Sequence, residues 1–291
     1  MRTRSLSSVG VVVVGLLPAL VGGPVFALLM AVLCIIAYRE YAALAAGVTP
    51  PASIPPTGYA AVAALAAAGL FDERATIAVS VAALAVGIPL VAAFLRVDAS
   101  DAFAGWSLAA AGSLYLGLPA FAAIALRHAE GSVDAPWLRD VADAAAIGWP
   151  SLPRGLAWLL VVLLCTWLGD TAAYLVGRTV GRRPLIPRVS PNKTVEGAVG
   201  GLVGAALTGA LAVRLFGLDL PVGVGLSLGA VIGVVGQLGD LAESLLKRQA
   251  GVKDSGNLIP GHGGMLDRID ALLFSFALGW PLAGIVDRVT T

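Results

Sequence analysis

Charged side chains are scarce: Asp, Glu, Lys and Arg make up 13% of the 291 residues, where a globular chain carries about 25%. Hydrophobic residues reach 58%, against about 45–50% in soluble domains. The mean hydropathy is +0.89, more than a water-soluble core can absorb. The expected fold class is therefore an all-α, polytopic membrane protein. A net charge of +1 says nothing about nucleic acid, no basic tail is present, and no nucleic-acid partner is expected. The two cysteines, Cys34 and Cys165, sit in apolar runs without metal-ligand spacing. They read as small hydrophobic filling and give no disulfide framework. There are two histidines, His128 and His262, and a lone histidine is read as a hydrogen-bonding group rather than a metal ligand. No Walker lysine motif, Rossmann fingerprint or HExxH stretch occurs.

A spanning helix takes about 20 mainly apolar residues. The hydropathy pattern predicts nine spans, at about 9–22, 24–46, 56–71, 75–96, 101–127, 155–178, 196–216, 221–246 and 270–287. Their breaks fall at Pro, Gly or charge clusters. The first follows Met1-Arg2-Thr3-Arg4 and has the outline of a signal peptide. A second apolar run starts at once at Pro24, so an uncleaved helical hairpin is expected instead. With the N-terminus inside, the outer side holds Arg74, Arg127, Arg139, Arg154, Arg214 and Arg288, and the other 13 of the 19 Lys and Arg lie inside. That asymmetry follows the positive-inside rule. The organisation expected is an N-terminal region, 1–150, of about five spans with an outer loop, and a catalytic region, 151–291. Two polar loops, about 179–195 and 247–269, fall on the inner side, so the active site is expected on the cytoplasmic face of the cell membrane.

The densest chemistry lies between Asp240 and Asp270. Asp240, Glu243 and Lys247 share one helical face by their spacing of three and four. Arg248, Lys253, Asp254, Asp267, Arg268 and Asp270 follow, with glycines at 251, 256, 261, 263 and 264. Ionisable groups beside a membrane core are costly and usually serve a site. Carboxylates converging from two helices favour an oxygen-ligated divalent cation such as Mg²⁺. Asp170 lies within the sixth span, where a structural hydrogen bond and a site role are both open. In Ser190-Pro-Asn-Lys-Thr-Val-Glu-Gly197, Glu196 suits the positive end of a helix. Lys193 and the nearby arginines can hold phosphate oxygens, or else simply mark an inner loop. The glycines around His262 allow a tight turn or the approach of backbone amides to a phosphate. Glycines at four-residue spacing, Gly197/Gly201, Gly200/Gly204 and Gly225/Gly229/Gly233, let helices pack closely in lipid.

These blocks resemble the phosphatidate cytidylyltransferase family, also called CDP-diacylglycerol synthases. The matching pattern runs from Ser244 through Lys247-Arg248, Lys253-Asp254 and His262-Gly-Gly264 to Asp267-Arg-Ile-Asp270, with Gly169-Asp-Thr-Ala-Ala-Tyr174, Gly177-Arg178 and Ser190–Gly197 upstream. Asn192 and Val195 depart from it mildly. The close resemblance covers about 155–270.

It implies the reaction CTP + phosphatidate → CDP-diacylglycerol + pyrophosphate in phospholipid biosynthesis. It further implies Mg²⁺, with K⁺ as a candidate companion ion, and a homodimer. Asp240 and Asp267 are the implied leading metal ligands, with Glu243, Asp170 and Asp270 behind them. Lys247 and Arg268 are expected beside the reacting phosphates. Ser190, Lys193, Thr194, Glu196, Arg248, Lys253, His262, Gly263 and Gly264 are expected to bind substrate. Three alternatives stay open: a CTP-using lipid kinase or transferase for another lipid phosphate, a CDP-alcohol phosphotransferase (whose aspartate motif is absent), and an ion-coupled transporter.

Overall fold

Inside a bilayer every backbone N–H and C=O must be satisfied within the protein, which makes the helix the natural form of an apolar stretch. The computed structural model describes residues 15–48, 56–95, 100–144, 152–258 and 263–290, most of them helical. Residues 15–21 are the described part of α1. The order continues α2 (Gly23–Val48), α3 (Thr57–Ala68), α4 (Arg74–Phe94), α5 (Ala102–Arg127), β1 (Ser132–Val133), α6 (Pro136–Ala144) and β2 (Leu152–Pro153). Then come α7 (Arg154–Val180), β3 (Pro184–Ile186), β4 (Ser190–Thr194), α8 (Val195–Leu215), α9 (Val222–Gln249) and α10 (Leu266–Thr290).

Each of the nine expected spans has a helix at its position, but nine crossings are not established. Among the described residues, seven helices are long and apolar enough to cross a membrane: α2, α4, α5, α7, α8, α9 and α10. At 12 residues α3 is about 18 Å long, short of the ~30 Å hydrocarbon core. Residues 9–14 of the first expected span lie outside the described residues. The chain is a multi-pass, all-α membrane protein with two small antiparallel ribbons, β1–β2 and β3–β4.

The chain divides into two compact units, Met1–Ala125 with Ala242–Leu273, and Leu126–Leu241 with Phe274–Thr291. In the first, Tyr38, Leu65, Leu116 and Ile124 are fully buried. The Tyr41 hydroxyl donates to the Leu108 carbonyl (3.1 Å), fastening α2 to α5. The second unit is built on α7, α8 and α9, whose contact faces are small residues. At Gly229 an added Cβ would strike the Ala205 carbonyl of α8, so α8 and α9 touch backbone to backbone. Trp137 of α6 donates through Nε1 to the Leu215 carbonyl (2.7 Å) and caps the end of α8. The start of α7 is tied to the end of α10: Arg154 contacts Asp287 Oδ1 through Nε (3.1 Å) and a terminal nitrogen (2.5 Å), while Trp158 Nε1 donates to Oδ2 (3.2 Å).

Close packing of α8 on α9 should be intolerant of added volume. Gly229→Val should lower stability by about 1–3 kcal/mol, the usual cost of overpacking. Gly223→Ala, whose added Cβ would come within 4 Å of no described residue packed against it, should leave the melting temperature in detergent unchanged.

Candidate functional site

Two charged groups emerge, one in each unit. In the second unit the β3–β4 ribbon delivers Lys193 to α9, where its ammonium pairs with Asp240 Oδ2 at 2.5 Å. Asp170 of α7 lies within electrostatic reach of both. The expected inner loop is thus partly a strand: Ser190 pairs with Ile186 and Thr194 with Pro184. Too short to show alternation, such a strand has no readable period in the sequence. Thr194 ends it and caps α8, its hydroxyl accepting from Gly197 N (3.1 Å). Glu196 reaches across the ribbon. Its Oε2 accepts from the backbone N–H of Arg182 (3.0 Å) and Arg183 (3.1 Å), and its Oε1 from the Arg183 side chain (3.3 Å). Its position in the first turn of α8 was legible; its grip on the ribbon was not.

In the first unit, the end of α9 carries Glu243 and Lys247, and the first turn of α10 carries Asp267. Glu243 is buried, 1% exposed. The Lys247 ammonium pairs with Glu243 Oε2 and with Asp267 Oδ1 (2.6 Å). Asp267 Oδ2 accepts from Ser255 N (2.8 Å), Ser255 Oγ (2.9 Å) and Gly264 N (2.8 Å). Asp267 thus folds the α9–α10 loop back on itself while its other oxygen faces the ammonium. The helix starts at Leu266, four residues before the expected span at 270, so Asp267 and Asp270 are helical.

The Gly264 amide is engaged by Asp267, and Gly263 takes a left-handed φ of +83°. Arg248 donates to the Val252 carbonyl (3.2 Å) at the end of α9. Lys253 and Arg268 are exposed, Asp270 is half-buried, and His262 lies outside the described residues. One residue of this group, Glu40 of α2, is missing from the site expected from the sequence. Glu40 accepts from Ser255 Oγ, Met265 N and Leu266 N. The available signal was a carboxylate within an apolar span.

Asp170, Lys193, Lys247 and Asp267 lie in the motif blocks that carry the resemblance, with Asp240 and Glu243 just before the last block, and residues 2–285 match the cytidylyltransferase family. The chain belongs to that family. A phosphatidate cytidylyltransferase of Staphylococcus haemolyticus is 44% identical over 124 residues, 43% of this chain and 48% of the relative. That of Staphylococcus aureus is 47% identical over 127 residues, with the same two shares. That of Bacillus subtilis is 47% identical over 120 residues, 41% of this chain and 45% of the relative. The chain spans about half the length of the curated relatives it matches.

The donor chemistry of this cytidylyltransferase-family chain bears on a divalent cation. Among the described residues, no three His, Cys, Asp or Glu side chains converge as a ready-made cage. Mg²⁺ typically uses one or two carboxylates and completes its shell with phosphates and water. Carboxylate pairs suit that mode: Asp170 with Asp240, and Glu243 with Asp267. Glu243 Oε1 is buried and accepts no hydrogen bond from the described residues, which leaves a hard oxygen beside the ammonium. The residues fit such a cation held jointly with a substrate, in place of an all-protein cage.

Removing the ammonium leaves Glu243 and Asp267 as close, poorly solvated like charges. Lys247→Met should therefore destabilise the protein by about 3–5 kcal/mol. The double variant Lys247→Met/Glu243→Gln should recover part of that loss in the same thermal-unfolding assay.

Proposed function

We propose that this chain transfers the cytidylyl group of CTP to phosphatidate, giving CDP-diacylglycerol and pyrophosphate. The observation that carries the reading is that a lysine from each of two motif blocks pairs with carboxylates, Lys193 with Asp240 and Lys247 with Glu243 and Asp267. Family membership and similarity to relatives named phosphatidate cytidylyltransferase support the choice of substrates.

The chemistry follows from the charges. A non-bridging oxygen of the phosphatidate phosphate attacks the α-phosphorus of CTP and forms a new P–O bond. The bond from that phosphorus to the α,β-bridging oxygen breaks, and its electron pair leaves with pyrophosphate. An ionised phosphate needs no general base, so positioning and charge neutralisation carry the rate. Lys193 and Lys247 hold phosphate oxygens, and the carboxylates beside them keep both ammonium groups in place. Arg248, Lys253 and Arg268, with Ser190, Thr194, His262 and Gly263, complete the binding of the nucleotide and headgroup, while Gly264, its amide held by Asp267, shapes the loop around them. Glu196 keeps the β3–β4 ribbon closed beneath Lys193.

Asp170 and Asp240 in the second unit, or Glu243 and Asp267 with Asp270 in the first, are the residues that would hold Mg²⁺, with K⁺ as its companion. Bound there, the cation supplies neutralisation of the triphosphate as charge develops on the leaving group. In this reading the active site faces the cytoplasm, as the Lys and Arg asymmetry favours, and the enzyme works as a homodimer.

The deciding experiment gives purified protein phosphatidate, α-labelled CTP and Mg²⁺, and resolves lipid and nucleotide products. Labelled CDP-lipid with an equal amount of pyrophosphate is expected, and chelation should abolish it. Asp240→Asn and Asp267→Asn should each lower kcat by ~100-fold or more, the scale of losing one charge-stabilising group. Release of CDP with a polyprenol acceptor, and none of the labelled lipid, would sink the reading in favour of a kinase.

A further inference from the structure

Glu40 stands 215 residues before Ser255, on α2, yet its carboxylate closes the α9–α10 loop. Oε1 accepts from Met265 N (2.9 Å) and Oε2 from Leu266 N (2.8 Å), the amides at the entry to α10. Those amides have no partner inside the helix, and a negative charge suits the positive end of the helix dipole. Oε2 also meets Ser255 Oγ at 2.9 Å. The same hydroxyl lies 2.9 Å from Asp267 Oδ2. One hydroxyl proton is thus shared between two carboxylates, joining Glu40 to Asp267 through a single atom. A side chain at Gly256 or Gly264 would strike the Glu40 carboxylate, so both glycines make room for it.

We infer that Glu40 is a positioning residue for the transferase reaction: through Ser255 and the first amides of α10 it fixes Asp267 against Lys247. This rests on the function proposed above. Without the carboxylate, the Met265 and Leu266 amides lose their acceptor and the start of α10 frays. Asp267 sits one residue further on, and its orientation depends on that turn. Ser255, freed from Glu40, no longer holds Oδ2 in one direction. The ammonium pair on Oδ1 then loses its fixed geometry while the substrate-binding groups elsewhere stay in place.

The test uses the full chain in detergent with phosphatidate and CTP, comparing wild type, Glu40→Gln, Ser255→Ala and the double variant. Loss of a supporting partner of this kind typically costs 10–100-fold in activity. Glu40→Gln is therefore expected to lower kcat by ~10-fold or more, with KM for CTP within ~2-fold. Because both variants cut one relay, the double variant should be little worse than the poorer single one. Glutamine keeps one acceptor oxygen and puts an NH2 donor in place of the other, so deuterium uptake should quicken at one or both of Met265 and Leu266 in Glu40→Gln. Wild-type kcat in Glu40→Gln overturns the proposal, and so does a loss that multiplies with that of Ser255→Ala. If Glu40→Gln does not fold, Ser255→Ala decides alone, since it keeps both Glu40 contacts to α10; wild-type kcat there overturns the link. If the wild type turns over no phosphatidate, the function reading fails separately. Uptake then still decides whether Glu40 orders the turn that carries Asp267: unchanged exchange at both Met265 and Leu266 in Glu40→Gln overturns that hold, and faster exchange upholds it for whatever reaction the site performs.

Discussion

An ammonium group held between two carboxylates is the interaction on which the first unit depends. Glu243 is buried, and water cannot stabilise its charge as it would at an open surface; Lys247 supplies the counter-charge and extends it to Asp267. An ion pair of this type gains little over a hydrophobic replacement of the same shape, whereas losing one partner is severe. Such a pair therefore holds a geometry more than it adds stability. The same economy of means recurs in the second unit, where Lys193 meets Asp240. In both, the cation lies where anionic phosphate oxygens could share it.

Much of this was legible in the sequence, and the reasons are physical. Apolar runs bounded by Pro, Gly and charge declare helices because the bilayer allows little else, and each expected span has its helix. The count was harder, since hydropathy alone does not separate the 12-residue α3 from a full crossing. Helix ends were harder still. The entry to α10 at Leu266 depends on an acceptor from α2, and no local signal encodes a partner that far away in sequence. Asp240, Glu243, Lys247 and Asp267 were legible because charges concentrated beside an apolar helix are expensive. Glu40 was not legible as part of the site, because a single carboxylate next to Arg39 carries no motif or cluster of its own. The Ser190–Thr194 strand escaped for want of length.

The glycines divide into two kinds that composition cannot distinguish. Gly229 serves the contact of two helix backbones in lipid, a packing role independent of any reaction. Gly256 and Gly264 yield space to one carboxylate. Glycine-rich loops near phosphate chemistry are often read as cradles of free amides. Here the Gly264 amide is already committed to Asp267, and the small residue has a second reason to be there.

The tie between Arg154, Trp158 and Asp287 has a mechanical consequence. It joins the first turn of α7 to the last turn of α10 by both an ion pair and an indole hydrogen bond. Helices meet a thinner or thicker bilayer by changing tilt. Two helices pinned at one end cannot slide past each other along their axes. A change in lipid thickness would swing α7 and α10 as a pair, pivoting about Asp287, so the surrounding membrane acts on them through their shared inclination and leaves their relative height unchanged.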